Sequence, residues 1–318
     1  MPEPGEPSTA LDIRSALKEG IARLRAAHVP SHTLTAELLL LNVLGCDRAW
    51  LYTHSENRLD SVGAERYFAL ISRRAAGEPT QYLTGKQEFW GLQFEVTPAV
   101  LIPRPETEHL VEVALERLGP IGIKIDMATG EASGPLHIAD VGTGSGCLAV
   151  ALAHELPHAE LCATDISPAA LEVARRNSVR HGVSDRIRFI ETDLLDALLH
   201  SPPAANRVAE SKESLVFDLI VSNPPYLAHE GVGTLPREVR EHEPESALFG
   251  GASGIEMYAR LSEQAARLLA PQGIFVVELG YGAADKIRKI LQLQRKWANI
   301  SITNDLAEIP RVLAAERR

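Results

Sequence analysis

Apolar positions in the first quarter of the chain recur at helical spacing. Leu11, Ile13, Leu17, Ile21 and Leu24 lie on one face of a helix, and Thr35–Leu44 and Ala64–Ala75 behave alike. Pro30 and Gly45 punctuate these stretches. No strand-like alternation interrupts them, so a small helical domain is expected over residues 1–80. Gly77–Gly85 then reads as a linker, and Glu88–Val96 carries the aromatic alternation of a hairpin, so residues 81–104 form a hairpin linker in this reading. Val100–Glu108 leads into an amphipathic helix with Pro105 in its first turn. From residue 137 onward, short apolar runs alternate with helical stretches. That pattern predicts an α/β, doubly wound, largely parallel sheet over 105–318, with ligands at the carboxyl ends of its strands. Later elements are a helix over Gly254–Ala270, a strand over Ile274–Leu279, a helix over Ala283–Leu293 and a C-terminal antiparallel pair near 298–303 and 309–315. Gly122–Gly134 and Ser201–Ser214 read as poorly ordered surface loops.

Composition narrows the class. The chain has 318 residues, 45% hydrophobic and 23% charged, which suits an ordinary globular protein of two domains. A net charge of −10 argues against tight nonspecific nucleic-acid binding, which needs clustered cations. Arg73-Arg74 and Arg175-Arg176 read as solvated helix faces. Cys46, Cys147 and Cys162 lack zinc spacing and read as reduced thiols, and no metal is expected. The acidic, proline-rich Met1–Ser8 is unlike a secretory signal, and no apolar stretch is long enough to span a membrane, so a cytoplasmic location is expected.

Two motifs carry the chemistry. The first is the strand Leu136–Val141 running into Gly142-Thr143-Gly144-Ser145-Gly146 and then an Ala/Leu-rich helix. Glycines at such a turn permit positive φ and close approach of a ligand to the backbone. Asp140, two residues before the first glycine, is badly placed for a pyrophosphate. It suits an ammonium group, such as the methionine part of S-adenosylmethionine. Asp165 and Asp193 close the next two apolar strands, where a ribose and an adenine edge would fall. The second motif is Asn223-Pro224-Pro225-Tyr226, directly after the apolar run Leu215–Ser222. Prolines fix φ and lack an N–H, so the turn is rigid and poor in donors. The Asn oxygen and a prolyl carbonyl can accept two hydrogens from one NH2 group, with the Tyr ring against its plane. The group so held is an amide or an exocyclic amine, placed for alkylation.

With these residues, the chain resembles the HemK-type (PrmC) peptide chain release factor glutamine methyltransferases over nearly its whole length. The resemblance rests on Glu78-Pro79-x-x-Tyr82-x-x-Gly85-x-x-Glu88-Phe89, Leu101–Glu108, Asp140–Gly146 and Ser222–Tyr226. It extends to Val239-Arg240-x-x-Glu243-Pro244 with Ala247-Leu248, and to Asn304-Asp305-Leu306-x-x-Ile309-Pro310-Arg311. It implies a Rossmann-like class I methyltransferase domain, S-adenosylmethionine as methyl donor, and the glutamine of a Gly-Gly-Gln loop in release factors as acceptor. By position, Gly142 through Gly146 would line the methionine part, Asp165 the ribose, and Leu194 the adenine, where some members carry an aromatic residue. Asn223, Pro224, Pro225 and Tyr226 would hold the glutamine, with Asn223 also near the cofactor. Arg104 and Thr107 would line the same cavity. The N-terminal helices would dock the protein substrate, and a monomer is expected. The alternative is an N6-adenine-type DNA or RNA methyltransferase using the same tetrapeptide, which the acidic charge and the lack of a basic, aromatic-rich appended domain disfavour. No general base is evident: His229 and Glu230 read as loop residues, and proton loss to water is expected.

Overall fold

The computed structural model describes residues 11–118, 123–125, 132–200, 216–228, 233 and 235–318. In chain order the elements begin with α1 (Ile13–Ala26), α2 (His32–Leu44), α3 (Arg48–Thr53), α4 (Ser61–Ala75) and α5 (Thr80–Thr84). Next come β1 (Lys86–Phe89), β2 (Leu92–Glu95), α6 (Glu108–Leu118), β3 (Ile123–Ile125), β4 (Ala132–Pro135), β5 (His137–Val141) and α7 (Cys147–Glu155). Then follow β6 (Glu160–Asp165), α8 (Pro168–Arg180), β7 (Ile187–Glu191), α9 (Asp196–His200), β8 (Phe217–Ser222), α10 (Arg237–His242) and α11 (Glu245–Leu248). The chain ends with α12 (Glu256–Leu268), β9 (Leu269–Glu278), α13 (Ala284–Gln294), β10 (Trp297–Asn304) and β11 (Pro310–Arg317).

The chain divides into two units. The first holds the residues up to Gly85 together with Pro236–His242. Its helices start where short acids cap them. The side chains of Asp12, Asp47 and Asp60 accept from the backbone N–H of Ser15, Trp50 and Gly63 at 2.6, 2.7 and 2.6 Å. The apolar stripes meet in a core of Ile13, Leu24, Leu39, Leu40, Tyr67 and Ile71. Gly20 sits where any Cβ would strike the Tyr67 hydroxyl, so α1 and α4 pack closely there. Two expectations change in this unit. Gly77–Gly85 is not merely a linker, because Thr80–Thr84 forms α5. Arg74 does not lie on a solvated face. It is buried, and its guanidinium donates to Glu238 of α10 at 2.7 Å, a pairing across 164 residues.

The second unit, Lys86–Leu235 with Glu243–Arg318, is built on a seven-stranded sheet in the order β10-β11-β9-β8-β5-β6-β7. The strands from β7 to β9 run parallel, and β11 and β10 add an antiparallel edge. Both faces of the parallel part are covered. Along β8, Leu219 and Val221 enter one apolar cluster with α6 and α7, whereas Phe217 and Ile220 enter the other with α12 and α13. The strand order reverses at β5, with β6 and β7 added on one side and β8 and β9 on the other, which creates a crevice beyond the carboxyl ends of β5 and β8. Within Gly122–Gly134 the described residues belong to β3 and β4, which pair antiparallel where a loop was expected, and the remaining positions lie outside the described residues. The expectations for Met1–Ser8, Ser201–Ser214, His229 and Glu230 lie outside the described residues.

Candidate active site

The crevice holds a cavity of about 210 Å³. One water needs only about 10–15 Å³ by the same kind of measure, so this is room for a ligand rather than a packing flaw. Its wall brings together Gly142, Thr143, Gly144 and Ser145 after β5, Asp165 at the end of β6, Asp193 and Leu194 after β7, and Asn223 and Pro225 after β8. Thr107 and the apolar Val100 and Leu101 close one side, and Pro244, Ala247 and Met257 line it further. Five of the predicted residues lie outside this wall: Asp140, Gly146, Pro224, Tyr226 and Arg104.

The glycine loop is ordered from beneath. The N–H groups of Gly142 and Thr143 both donate to Thr164 O at 2.9 Å, which ties the loop to the end of β6. Gly142 and Gly144 have φ of 71° and 54°, and a Cβ on either would meet no protein atom within 4 Å. The space before them is the cavity. Gly146 serves differently: at φ 81° it precedes α7, and a Cβ there would stand 3.0 Å from Ala174 Cβ and 3.1 Å from its Cα. Its smallness lets α7 and α8 pack, which explains its absence from the wall.

Asp140 lies under the loop. It is fully buried, and its Oδ2 accepts from Thr143 Oγ1 at 2.6 Å and from Ala149 N at 3.1 Å. Burial pushes its carboxyl up to about 7. Its Oδ1 has no hydrogen-bond partner among the described residues. Asp165 does face the cavity, but each oxygen already takes a backbone N–H: Gly144 at Oδ2 and Ser167 at Oδ1, both at 2.9 Å. One lone pair per oxygen remains for hydroxyl donors. Burial raises the Asp165 carboxyl as well. Asp193 lines the wall while paired to Arg260 at 2.6 Å, and Leu194 beside it has a left-handed φ of 52°.

Asn223 leaves β8 at the edge of the cavity. Its Nδ2 donates to Thr107 Oγ1 at 3.1 Å, and that hydroxyl donates to Glu278 Oε2 at 2.6 Å. Tyr226 sends its hydroxyl to Glu278 Oε1 at 3.5 Å. Glu278 is 2% exposed at the end of β9, and burial pushes its carboxyl up to about 7. Burial and the nearby Glu278 charge push the Tyr226 phenol up to about 12. Three glycines grip the turn. A Cβ on Gly250 would strike Pro225 O, one on Gly254 would strike Tyr226 O, and one on Gly280 would press on the Tyr226 ring. Leu227 is bridged to Phe249, which keeps the Gly250 segment alongside. Arg104 corrects an expectation: it forms an ion pair with buried Glu243 and secures the proline-rich segment instead of lining the cavity. Glu278, Gly250, Gly254 and Gly280 were not foreseen. The one signal in the sequence was an acid closing the apolar run Ile274–Val277, the same mark that singled out Asp165.

A parallel sheet that reverses at β5, a glycine loop there, acids at the next strand ends and an Asn-Pro-Pro-Tyr turn beside them define a class I methyltransferase. The comparisons agree, with a methyltransferase domain matching residues 133–313 and a PrmC N-terminal domain matching 15–85. A release factor glutamine methyltransferase of Koribacter versatilis is 41% identical over 96% of this chain and 99% of its own length. One of Bradyrhizobium diazoefficiens is 40% identical over 99% and 98%. The chain belongs to the release factor glutamine methyltransferase family. Among solved structures, the hMettl16 catalytic domain in complex with a 3'UTR hairpin is similar in fold, with TM-score 0.52 and 14% identity over 93% of this chain and 90% of that one.

Proposed function

We propose that this protein methylates the side-chain amide nitrogen of the glutamine in the Gly-Gly-Gln loop of peptide chain release factors, using S-adenosylmethionine. The observation that carries the reading is the placement of Asn223 on the same cavity wall as the glycine loop, with its Nδ2 engaged by Thr107 and no hydrogen bond from a described residue to its oxygen.

The residues present fit the donor. Gly142 and Gly144 leave open space before their backbone, Asp165 retains lone pairs for ribose hydroxyls, Leu194 offers an aliphatic face for adenine, and the orphaned Asp140 Oδ1 is a buried acceptor suited to a nearby ammonium. Bound there, S-adenosylmethionine supplies a methyl group made electrophilic by its sulfonium, and the departing electron pair goes to sulfur.

The rest falls to the chain. An amide nitrogen is a weak nucleophile, so catalysis is mainly placement at near-attack distance. Asn223 Oδ1 and the Pro224 carbonyl accept the two N–H bonds, which strengthen as positive charge develops on nitrogen. Tyr226 packs on the amide plane, and Pro225 closes the pocket. Glu278 stands behind Thr107 and Tyr226, away from the cavity wall, so the extra proton is released to water.

In this reading residues 1–80 dock the substrate, the 81–104 segment joins them to the catalytic domain over 105–318, and the enzyme acts as a cytoplasmic monomer. No described helix is long and apolar enough to cross a membrane. The decisive experiment incubates the protein with labelled S-adenosylmethionine and either release factor or nucleic acid. Label on the release factor, lost when its Gly-Gly-Gln glutamine is substituted, supports the reading. Label on DNA or RNA adenine alone overturns it.

A further inference from the structure

We propose that Glu278 is a positioning residue which, through Thr107, holds the Asn223 side-chain amide in the orientation that turns its oxygen toward the substrate nitrogen. The inference rests on the methyl-transfer reading above for its consequence, but its geometry stands alone.

A carboxylate only accepts. The single hydroxyl hydrogen of Thr107 therefore goes to Glu278 Oε2 at 2.6 Å. Thr107 Oγ1 is left with lone pairs alone, so the Asn223 group facing it at 3.1 Å must be the donor Nδ2. The planar amide then directs Oδ1 away from Thr107. Both links are short and within the second unit, and Thr107 and Glu278 are each 2% exposed. The second oxygen, Oε1, faces the Tyr226 hydroxyl at 3.5 Å, so one carboxylate addresses both polar members of the tetrapeptide.

Adding a proton to Glu278 reverses the relay. The acid can donate to Thr107, whose own hydrogen is then free for Asn223. The amide is favoured in the flipped orientation, and Nδ2 opposes the incoming NH2, donor against donor. The groups facing Glu278 are Glu106 from the turn before α6, Tyr226 after β8, Tyr258 from α12, Cys147 from α7 and Arg311 from β11. Arg311 and the Thr107 hydrogen bond favour the charged form, while burial and Glu106 oppose it. The switch therefore falls near neutrality, with activity lost as pH falls.

The test uses the full-length enzyme with Thr107→Val, Thr107→Ser and Glu278→Gln. Two readouts are followed against pH: kcat for glutamine methylation at saturating cofactor, and the 15N side-chain amide resonance of Asn223 in the enzyme alone. In the wild type, the resonance and the acid limb of kcat are expected to share a midpoint. Thr107→Val should lower kcat by about tenfold or more, the scale of one misdirected hydrogen bond. It should change cofactor affinity far less than kcat and abolish the Asn223 titration. Thr107→Ser should restore both, and Glu278→Gln should flatten the acid limb. A wild-type resonance that does not titrate, or a Thr107→Val enzyme that keeps wild-type kcat and titration, overturns the proposal. If the wild type transfers no methyl to glutamine yet Asn223 titrates only when Thr107 and Glu278 are intact, the positioning role stands and the substrate reading falls.

Discussion

Gly280→Ala isolates the contribution of the Tyr226 ring. Gly280 is outside the left-handed region, so its backbone accepts alanine without strain. The entire cost lies in packing. The new methyl would stand 2.9 Å from Tyr226 Cδ2, 3.1 Å from Cγ and 3.3 Å from Cβ. Carbon pairs rest at about 3.5–4.0 Å, so the ring must retreat by about 0.6–1 Å. Because Cβ is among the atoms struck, turning the ring about its own axis does not relieve the clash; the turn itself must shift. Overpacking of this kind costs about 1–3 kcal/mol of stability. A positioning error near 1 Å costs up to about a hundredfold in rate, so kcat should fall by about ten- to a hundredfold. Gly280 is not on the cavity wall, so cofactor affinity should hold. Single-turnover transfer from labelled cofactor, calorimetric cofactor binding and thermal unfolding measure the three quantities. In a Tyr226→Ala background the same change should cost much less stability, since the ring contacts are gone and only the Cβ contact at 3.3 Å remains. A variant that loses stability but keeps full kcat, or one that loses cofactor affinity in step with kcat, refutes the claim that ring placement limits the chemistry.

Asn223→Ala should abolish transfer while leaving cofactor affinity within a few-fold; surviving turnover would disprove the pocket. Gly142→Ala and Gly146→Ala should separate binding from packing. The first places a methyl in open cavity and should weaken cofactor binding with a modest stability loss, whereas the second meets Ala174 and should cost about 2–4 kcal/mol while the folded fraction still binds. Calorimetry and urea unfolding distinguish them, and the reverse pattern would count against the assignment. Asp140→Asn should gain stability relative to wild type as pH rises from about 4 to 7. The folded Asp140 carboxyl, raised to about 7 from 3.8, retains a proton that the unfolded chain has released, so native stability declines over that window and is flat above it. Urea midpoints at several pH values decide, and parallel curves for the two proteins would contradict the shift. Arg104→Ala leaves buried Glu243 without its guanidinium and should destabilise by about 2–3 kcal/mol, read by chemical denaturation, with no first effect on cofactor affinity.

Periodicity made the long elements legible, and strand ends made much of the wall legible. Gly142–Ser145, Asp165, Asp193, Leu194 and Asn223 meet in one cavity because a parallel sheet delivers every strand end to one edge. The failures share a cause. Arg104 finds Glu243 and Arg74 finds Glu238, partners separated by 139 and 164 residues, which no local pattern announces. Gly254 reads only as the start of a helix and Gly250 carries no reading, and it is the backbone of Pro225 and Tyr226 pressing on them that explains their size. Asp140 was visible as an acid beside the loop. Whether it pointed into the cavity or under the loop depended on Thr143 and Ala149 folding back over it.

The acids around this site share a further property. Asp140 and Glu278 are buried behind the wall, and Glu243 is paired and buried as well. Among the described residues, the two carboxylates that reach the cavity are engaged, Asp165 by two backbone N–H groups and Asp193 by Arg260. A free carboxylate is a better nucleophile toward an activated methyl than a neutral amide, so an unengaged acid on the wall would compete with the substrate for the group being transferred. Leaving the amide opposite neutral acceptors, the Asn223 oxygen and a prolyl carbonyl, removes that competition. Burial serves the same end, because acids held near their neutral forms are weak nucleophiles while still ordering the loop, the threonine and the asparagine they touch.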